Sequence, residues 1–182
     1  MSADLGISVN ETKELFQKHA QEMPFVSELS RECQNVVRKR GYLRSLLKRH
    51  VRFPYAEPTR YDARVSGELL TWEEAKVRWK DEKLVHARLY KALNSLIQPS
   101  AADQTKAAML AVWKSDLGKT VMIQVHDELC CSIEKSADND RLKEIMKNAV
   151  PFVPDPKPGR TEPFLSVPSK VTTEVNEAWS GQ

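Results

Sequence analysis

Apolar and polar residues follow a helical period in some stretches of this chain and a strand period in others. Ser8-Val9-Asn10-Glu11 forms a capping box, with Ser8 as N-cap and Glu11 reaching back, and predicts a first helix running to about Glu22. Pro24 suits the first turn of a second helix. In that helix Phe25, Leu29, Cys33, Val36 and Val37 recur near helical spacing and give one buried stripe, which Gly41 is placed to end. Residues 42–53 predict two short strands around a Lys48-Arg49 turn, and residues 54–70 read as loop. Thr71-Trp72-Glu73-Glu74 is a second capping box and predicts a helix extending toward Ile97. Pro99 interrupts it. Ser100 to Asp103 restart a helix that reaches about Ser115, with Gly118 as its stop. Residues 121–125 and 129–133 are rich in β-formers and predict two strands. Ser136 caps a helix ending near Val150, residues 151–163 are Pro-rich and irregular, and a last strand is expected within residues 167–175.

This order of helices, small hairpin, long helices, tight hairpin, helix and strand defines an α+β chain. It offers only about three strands to a central sheet, which is thin for so many helices and implies that strands are missing. The composition is that of a folded chain: 41% of the 182 residues are hydrophobic. No run approaches the ~20 apolar residues of a membrane span, and the first residues carry no basic and apolar signal pattern. Cys33, Cys130 and Cys131 cannot all pair and have no zinc-site spacing, which fits a reducing compartment. The expected location is cytoplasmic, in a bacterium or in a phage-infected host.

Charge sharpens two places. The net charge of +3 is mild, but Arg38, Lys39, Arg40, Arg44, Lys48, Arg49 and Arg52 lie close together with no acidic residue among them. Such a block is either a solvated face or the footprint of a phosphate-bearing partner. The second place is Gln124-Val125-His126-Asp127-Glu128-Leu129, where titratable residues fill the turn between two apolar strands. Tight hairpins favour Asn-Gly, Asp-Gly or Gly-X there, and a locally broken rule often marks function. Adjacent carboxylates on a rigid turn can hold a hard divalent ion such as Mg²⁺, which binds through one or two carboxylates plus substrate phosphates. A solvated loop with chance charges is the alternative for the tripeptide taken by itself.

The flanking sequence bears on that choice. Gln124 to Leu129 resembles, nearly letter for letter, the third palm motif of family A DNA polymerases, the class of bacterial DNA polymerase I and many phage replicases. Residues 92–103, Ala-Leu-Asn-Ser-Leu-Ile-Gln-Pro-Ser-Ala-Ala-Asp, are similar to the family's A-x-N-x-x-x-Q-G-(S/T)-A-A-D helix, with Lys106 continuing it and Pro99 in place of the usual Gly. Residues 40–49 resemble its R-G-Y-x-x-T-L-x-G-R-R-R element, with Lys48 at the Gly position. Residues 16–26 look like the helix and P-x-V turn after the fingers, and Val167-Pro168, Lys170-Val171 and Trp179 like the final strand and terminal G-x-x-W. The elements occur in family order from about Leu15 to Trp179, and the stretch from Tyr55 to His86 is unplaced and reads as an insertion.

The resemblance implies the C-terminal part of a family A palm with adjoining fingers helices, and a small antiparallel sheet incomplete without a second chain. It divides the chain into residues 1–40, helices following the fingers; residues 41–86, basic hairpin and insertion; and residues 87–182, palm segment with the His-Asp-Glu hairpin. It implies Asp127 and Glu128 as catalytic metal ligands, Asp127 the stronger, and Mg²⁺ as the ion of a two-metal site. His126 would contact the primer end, Asn94 and Gln98 the minor groove, where amides sense pair geometry without reading sequence, and Arg44, Lys48 and Arg49 the phosphates. Primer-template DNA and dNTP are the implied partners. The first palm motif (Asp-Tyr-Ser-x-x-Glu-like) and the fingers helix (R-x-x-x-K-x-x-x-F/Y) have no counterpart here. A complementary N-terminal chain carrying both is therefore expected, from a natural split or a truncation, with Met1 favouring the split. A non-catalytic DNA-binding or assembly protein built on the same fold, and an unrelated metal-dependent hydrolase using His126, Asp127 and Glu128, remain as alternatives.

Overall fold

The computed structural model describes residues 8–60, 69–155 and 157–176. It comprises two compact units, one within Met1–Leu43 and Val51–Leu96, the other within Arg44–His50 and Ile97–Gln182.

The first unit opens on the expected capping box. The Ser8 hydroxyl accepts the Glu11 N–H at 3.2 Å, and the Glu11 carboxylate accepts the Ser8 N–H at 2.7 Å. That cap starts helix α1 (Val9–Glu22), which buries none of its own residues. Helix α2 (Pro24–Arg40) begins on Pro24 and turns Cys33 and Val37 into a core with Leu43, Phe53 and Ala92. It stops at Gly41, whose φ of 75° is the left-handed conformation that glycine adopts without steric cost. A Cβ there would also stand 3.0 Å from the His86 ring. His86 is held over it by a 2.9 Å contact from Nδ1 to the Phe53 carbonyl and by edge-on packing against Trp72. Strands β1 (Tyr42–Arg44) and β2 (His50–Arg52) pair into a two-stranded sheet, as expected.

Beyond β2 the structure departs from the sequence reading. Residues 54–70 are not all loop: β3 (Tyr55–Pro58) is the middle strand of a three-stranded antiparallel sheet between β4 (Leu70–Thr71) and β5 (Leu84–His86). The helix capped by Thr71 is only α3 (Trp72–Arg78), not a helix reaching Ile97. Its chain turns at Trp79 and is drawn into the sheet, where Val85 lies opposite Glu57 and His86 opposite Ala56. Tertiary pairing here overrides the local helical preference.

Helix α4 (Asn94–Trp113) runs through Pro99 without a break, against the expected interruption. Pro99 falls in the second turn, where it forgoes one i to i−4 bond. The second unit's core joins Val112, Leu117 and Leu142, with Val121, Leu129, Cys131, Ile133, Ile145 and Met146 packed on them. Gly118 is buried in a short 3₁₀ turn after α4 rather than at its end. Strands β6 (Val121–Val125) and β7 (Glu128–Cys131) form the expected tight hairpin. Helix α5 (Ser136–Lys147) ends three residues short of Val150, and Lys135 rather than Ser136 takes the cap position.

The last strand expected within residues 167–175 is absent among the described residues. Pro168 has no N–H to give a ladder. Side chains hold the segment instead, Gln104 to the Ser169 hydroxyl at 2.6 Å and Asn139 to the Thr173 hydroxyl at 3.2 Å. A parallel bridge joins Phe152 to Leu165. Trp179 lies outside the described residues.

Candidate functional site

Two hairpin tips carry the residues singled out by sequence. At the first, β6 and β7 are joined by a two-residue turn, His126 and Asp127, closed by the pair Val125 and Glu128. His126 takes a φ of 51°, a conformation uncommon outside glycine. The Gln124 side-chain amide donates to the His126 carbonyl and braces the turn from within. Side-chain hydrogen bonds that lock such a turn permit backbone strain of this kind, and strain of this kind gathers at functional positions. His126, Asp127 and Glu128 are all exposed. Neither carboxylate is engaged by a described side chain, so both are available to an outside cation.

As donors, Asp127 and Glu128 are hard oxygens on adjacent residues, the kind that suits Mg²⁺. They fit as part of a ligand set and not as all of it: among the described residues no three His, Cys, Asp or Glu side chains gather to hold a metal. Cys33 and Cys131 are not activated nucleophiles, since burial pushes both thiols up.

The second tip lies between β1 and β2, and every backbone N–H from Ser45 to Arg49 has an acceptor. Ser45 N–H donates to the Arg49 carbonyl at 3.0 Å and Lys48 N–H to the Ser45 carbonyl at 2.8 Å. Arg49 N–H donates to the Ser45 hydroxyl at 3.2 Å. Leu46 N–H donates to the Ser100 hydroxyl at 3.0 Å, and Leu47 N–H to the Asp103 carboxylate at 2.9 Å. The Arg49 guanidinium pairs with the same carboxylate through Nε and Nη2. Arg44 and Lys48 are exposed, and Lys48 has a φ of 63°. That left-handed backbone explains why a Gly position there is natural and marks Lys48 as a residue held under strain.

Asp103 is fully buried. Burial pushes its carboxyl up, but hydrogen bonds from Ser45, the Leu47 N–H and Arg49, with the Arg49 charge, outweigh that and hold it below the ordinary carboxylate value. Sequence reasoning placed Asp103 within a motif and gave it no role. The available signal was a lone carboxylate among Ala101, Ala102, Ala107 and Ala108 on a helix otherwise short of charge. Asn94 and Gln98 both stand exposed on α4, Asn94 within the first unit and Gln98 within the second.

A sequence model of DNA polymerase family A matches residues 1–181, and the chain belongs to that family. It is 30% identical to a DNA-directed DNA polymerase of Pseudomonas phage M6 over 86% of this chain and 18% of that protein. It is 25% identical to DNA polymerase I of Borreliella burgdorferi, and 27% identical to the thermostable DNA polymerase I of Thermus aquaticus, each over 98% of this chain. The chain spans 17% and 18% of those two proteins, under a fifth of each. Among solved structures it is similar to the POL domain of Pol1 from M. smegmatis in complex with DNA primer-template and dNTP. That match has a TM-score of 0.58 and 28% identity, over 82% of this chain and 24% of the other. The mixed helical and antiparallel architecture agrees with the expected α+β class.

Proposed function

We propose that this chain supplies part of the nucleotidyl-transfer site and the primer-template contacts of a DNA-directed DNA polymerase, and that it works only with a complementary chain carrying the first palm motif and the fingers helix. The observation that carries the reading is the pair of unengaged carboxylates, Asp127 and Glu128, exposed at the tip of β6–β7. Asp127 and Glu128 would hold Mg²⁺ together with a carboxylate from the complementary chain. When bound, the ion supplies charge stabilisation at the reacting phosphate. His126, beside them, would meet the primer end. Asn94 and Gln98 would reach the minor groove, and Arg44, Lys48 and Arg49 the backbone phosphates. Since Arg49 already commits Nε and Nη2 to Asp103, its remaining N–H groups would serve the phosphate.

The need for a second chain is supported by β6. Met122 is 70% exposed and Ile123 46% exposed on neighbouring positions of a strand. The ladder shifts register between Val121 and Ile123, so Met122 stands at a bulge, and with Ile123 it leaves apolar surface of β6 bare; bare apolar strands are covered by partners. No helix among the described residues is long and apolar enough to cross a membrane, and we place the assembled enzyme in the cytoplasm of a bacterium or an infected host. The test is primer extension by the purified chain, with and without a candidate partner carrying the missing motifs. Extension is expected only for the pair. Templated extension by the chain by itself overturns the partner requirement, and no extension by a stably formed pair favours a non-catalytic DNA-binding role.

A further inference from the structure

The two buried polar side chains among the described residues, Ser45 and Asp103, touch one another. They meet inside the second unit, where the tip of the basic hairpin rests on α4. Three groups of the tip converge on the Asp103 carboxylate: the Ser45 hydroxyl, the Leu47 N–H and the Arg49 guanidinium. Ser100, one turn earlier on α4, takes the Leu46 N–H. A hairpin tip needs none of this to exist, since its own Ser45 and Arg49 bonds close it. The bonds to Ser100 and Asp103 fix something else, namely where the tip points. An ion pair with a buried carboxylate is weak evidence for stability, because desolvation of that carboxylate offsets much of the attraction, and fixing one geometry is a better account of its retention.

We propose that Asp103 is a positioning residue that locks the turn from Ser45 to Arg49 so that Arg44 and Lys48 meet nucleic-acid phosphates from fixed places. This rests on the DNA-contact reading above and adds the element that controls it. A long basic side chain on a loose loop loses freedom when it engages a phosphate, and a pre-fixed backbone removes part of that loss. Lys48 illustrates the device. Its left-handed backbone persists because the bonds on either side leave the tip no other arrangement. Asp103 would touch neither DNA nor substrate and would act through Arg44 and Lys48.

The test uses the whole chain assembled with a complementary chain carrying the missing motifs, as wild type, as Asp103→Asn and as Leu142→Ala. Asparagine keeps the shape and can still accept the Leu47 N–H, but it loses the charge that holds Arg49. Leu142→Ala loosens the same unit's core away from the tip. Amide exchange of residues 45–49 and binding of a fluorescent primer-template duplex across a salt series are measured together. Asp103→Asn is expected to speed exchange at Leu46, Leu47 and Arg49 by about tenfold. Its log-log salt slope is expected to fall by about 0.9 for each phosphate that the tip no longer neutralises. Leu142→Ala should leave both at the wild-type values. Unchanged tip exchange, or a loosened tip with an unchanged slope, overturns the positioning role. If wild type itself binds no duplex, the DNA-contact reading fails and takes this inference with it, and that outcome is distinguishable because it precedes any substitution. Should Asp103→Asn not fold, Ser45→Ala carries the same measurements with exchange read at Leu46 and Leu47, since it takes the hydroxyl from the carboxylate but also the acceptor of the Arg49 N–H.

Discussion

The two hairpin tips of the second unit solve opposite problems with similar backbones. Each bends through a non-glycine residue in the left-handed region, Lys48 at 63° and His126 at 51°. At the basic tip five successive N–H groups are bonded, two of them to α4, and one cation is neutralised by a buried carboxylate. At the acidic tip the brace is local, one amide of Gln124 on the His126 carbonyl, and both carboxylates face solvent. On the proposed function, the charge offered to a phosphate is anchored from beneath, and the charge offered to a cation is left open.

The acidic tip offers the largest effect. Asp127→Asn keeps the shape and removes the charge, and single-turnover incorporation by the reconstituted pair is expected to fall at least about a thousand-fold, at ~1.4 kcal/mol per decade. Folding and duplex binding should be spared, because Asp127 is exposed and the turn is closed by backbone and Gln124. Glu128→Ala should cost less. Near-normal rates for Asp127→Asn, in Mg²⁺ and in Mn²⁺, would end the claim that this tip is the metal site.

Asp103→Ala should instead act on stability, by about 2–4 kcal/mol in chemical denaturation, because it strands the Leu47 N–H and the Ser45 hydroxyl and unpairs Arg49. The half-exposed Arg49 can turn to water, which keeps the loss below that of a fully buried pair. The same carboxylate makes stability depend on pH. Its pKa is lower folded than unfolded, so the unfolded chain binds the proton more tightly. Its contribution is complete above the unfolded value of about 3.9 and is lost as pH falls from there through the folded pKa. A melting-temperature series from pH 6 downward should therefore drop less steeply in Asp103→Asn than in wild type. Parallel curves would mean that the pair carries no net linkage.

What the sequence disclosed, and what it withheld, follows the same division between local and distant. The capping boxes at Ser8 and Thr71, the stop at Gly41 and the β6–β7 turn are each written within a few residues, and all were legible. The three-stranded sheet was not, because Ala56 pairs with His86 thirty positions on, and Tyr55-Ala56-Glu57-Pro58 lacks an alternating pattern. Pro99 misled for a related reason: the bond it forgoes is a local cost, outweighed by distant packing of a helix whose later face is buried through Asp103, Ala108 and Val112. Asp127 and Glu128 stood out as charges in an apolar setting. Asp103 stood in the same kind of setting, but its partners Leu47 and Arg49 lie more than fifty residues away, and no local rule links them.

A smaller effect separates the two anchors on α4. Ser100→Ala removes the acceptor of the Leu46 N–H, a neutral bond at a partly buried position. The expected loss is about 1 kcal/mol in denaturant midpoint analysis. The acid dependence should stay as in wild type, because the Asp103 bonds remain. A loss as large as that of Asp103→Ala would mean that the tip is held by the two anchors as one unit.

The smallest change tests the strain itself. Lys48→Gly places a residue without Cβ where φ is 63°, which relieves a cost of roughly 1–2 kcal/mol, while glycine's freedom in the unfolded chain offsets about half of it. A gain in stability of up to about 1 kcal/mol is therefore expected. The bonds of Ser45, Leu46, Leu47 and Arg49 are unaffected, since none uses the Lys48 side chain. If Lys48 meets a phosphate, the same variant should bind duplex more weakly, with a log-log salt slope lower by about 0.9. Stability and binding would then move in opposite directions from one substitution, which a merely destabilised or merely stabilised tip cannot produce. A stabilised variant with an unchanged slope would leave Arg44 as the tip's phosphate contact and make the lysine at this glycine-favouring position a strain with no binding role.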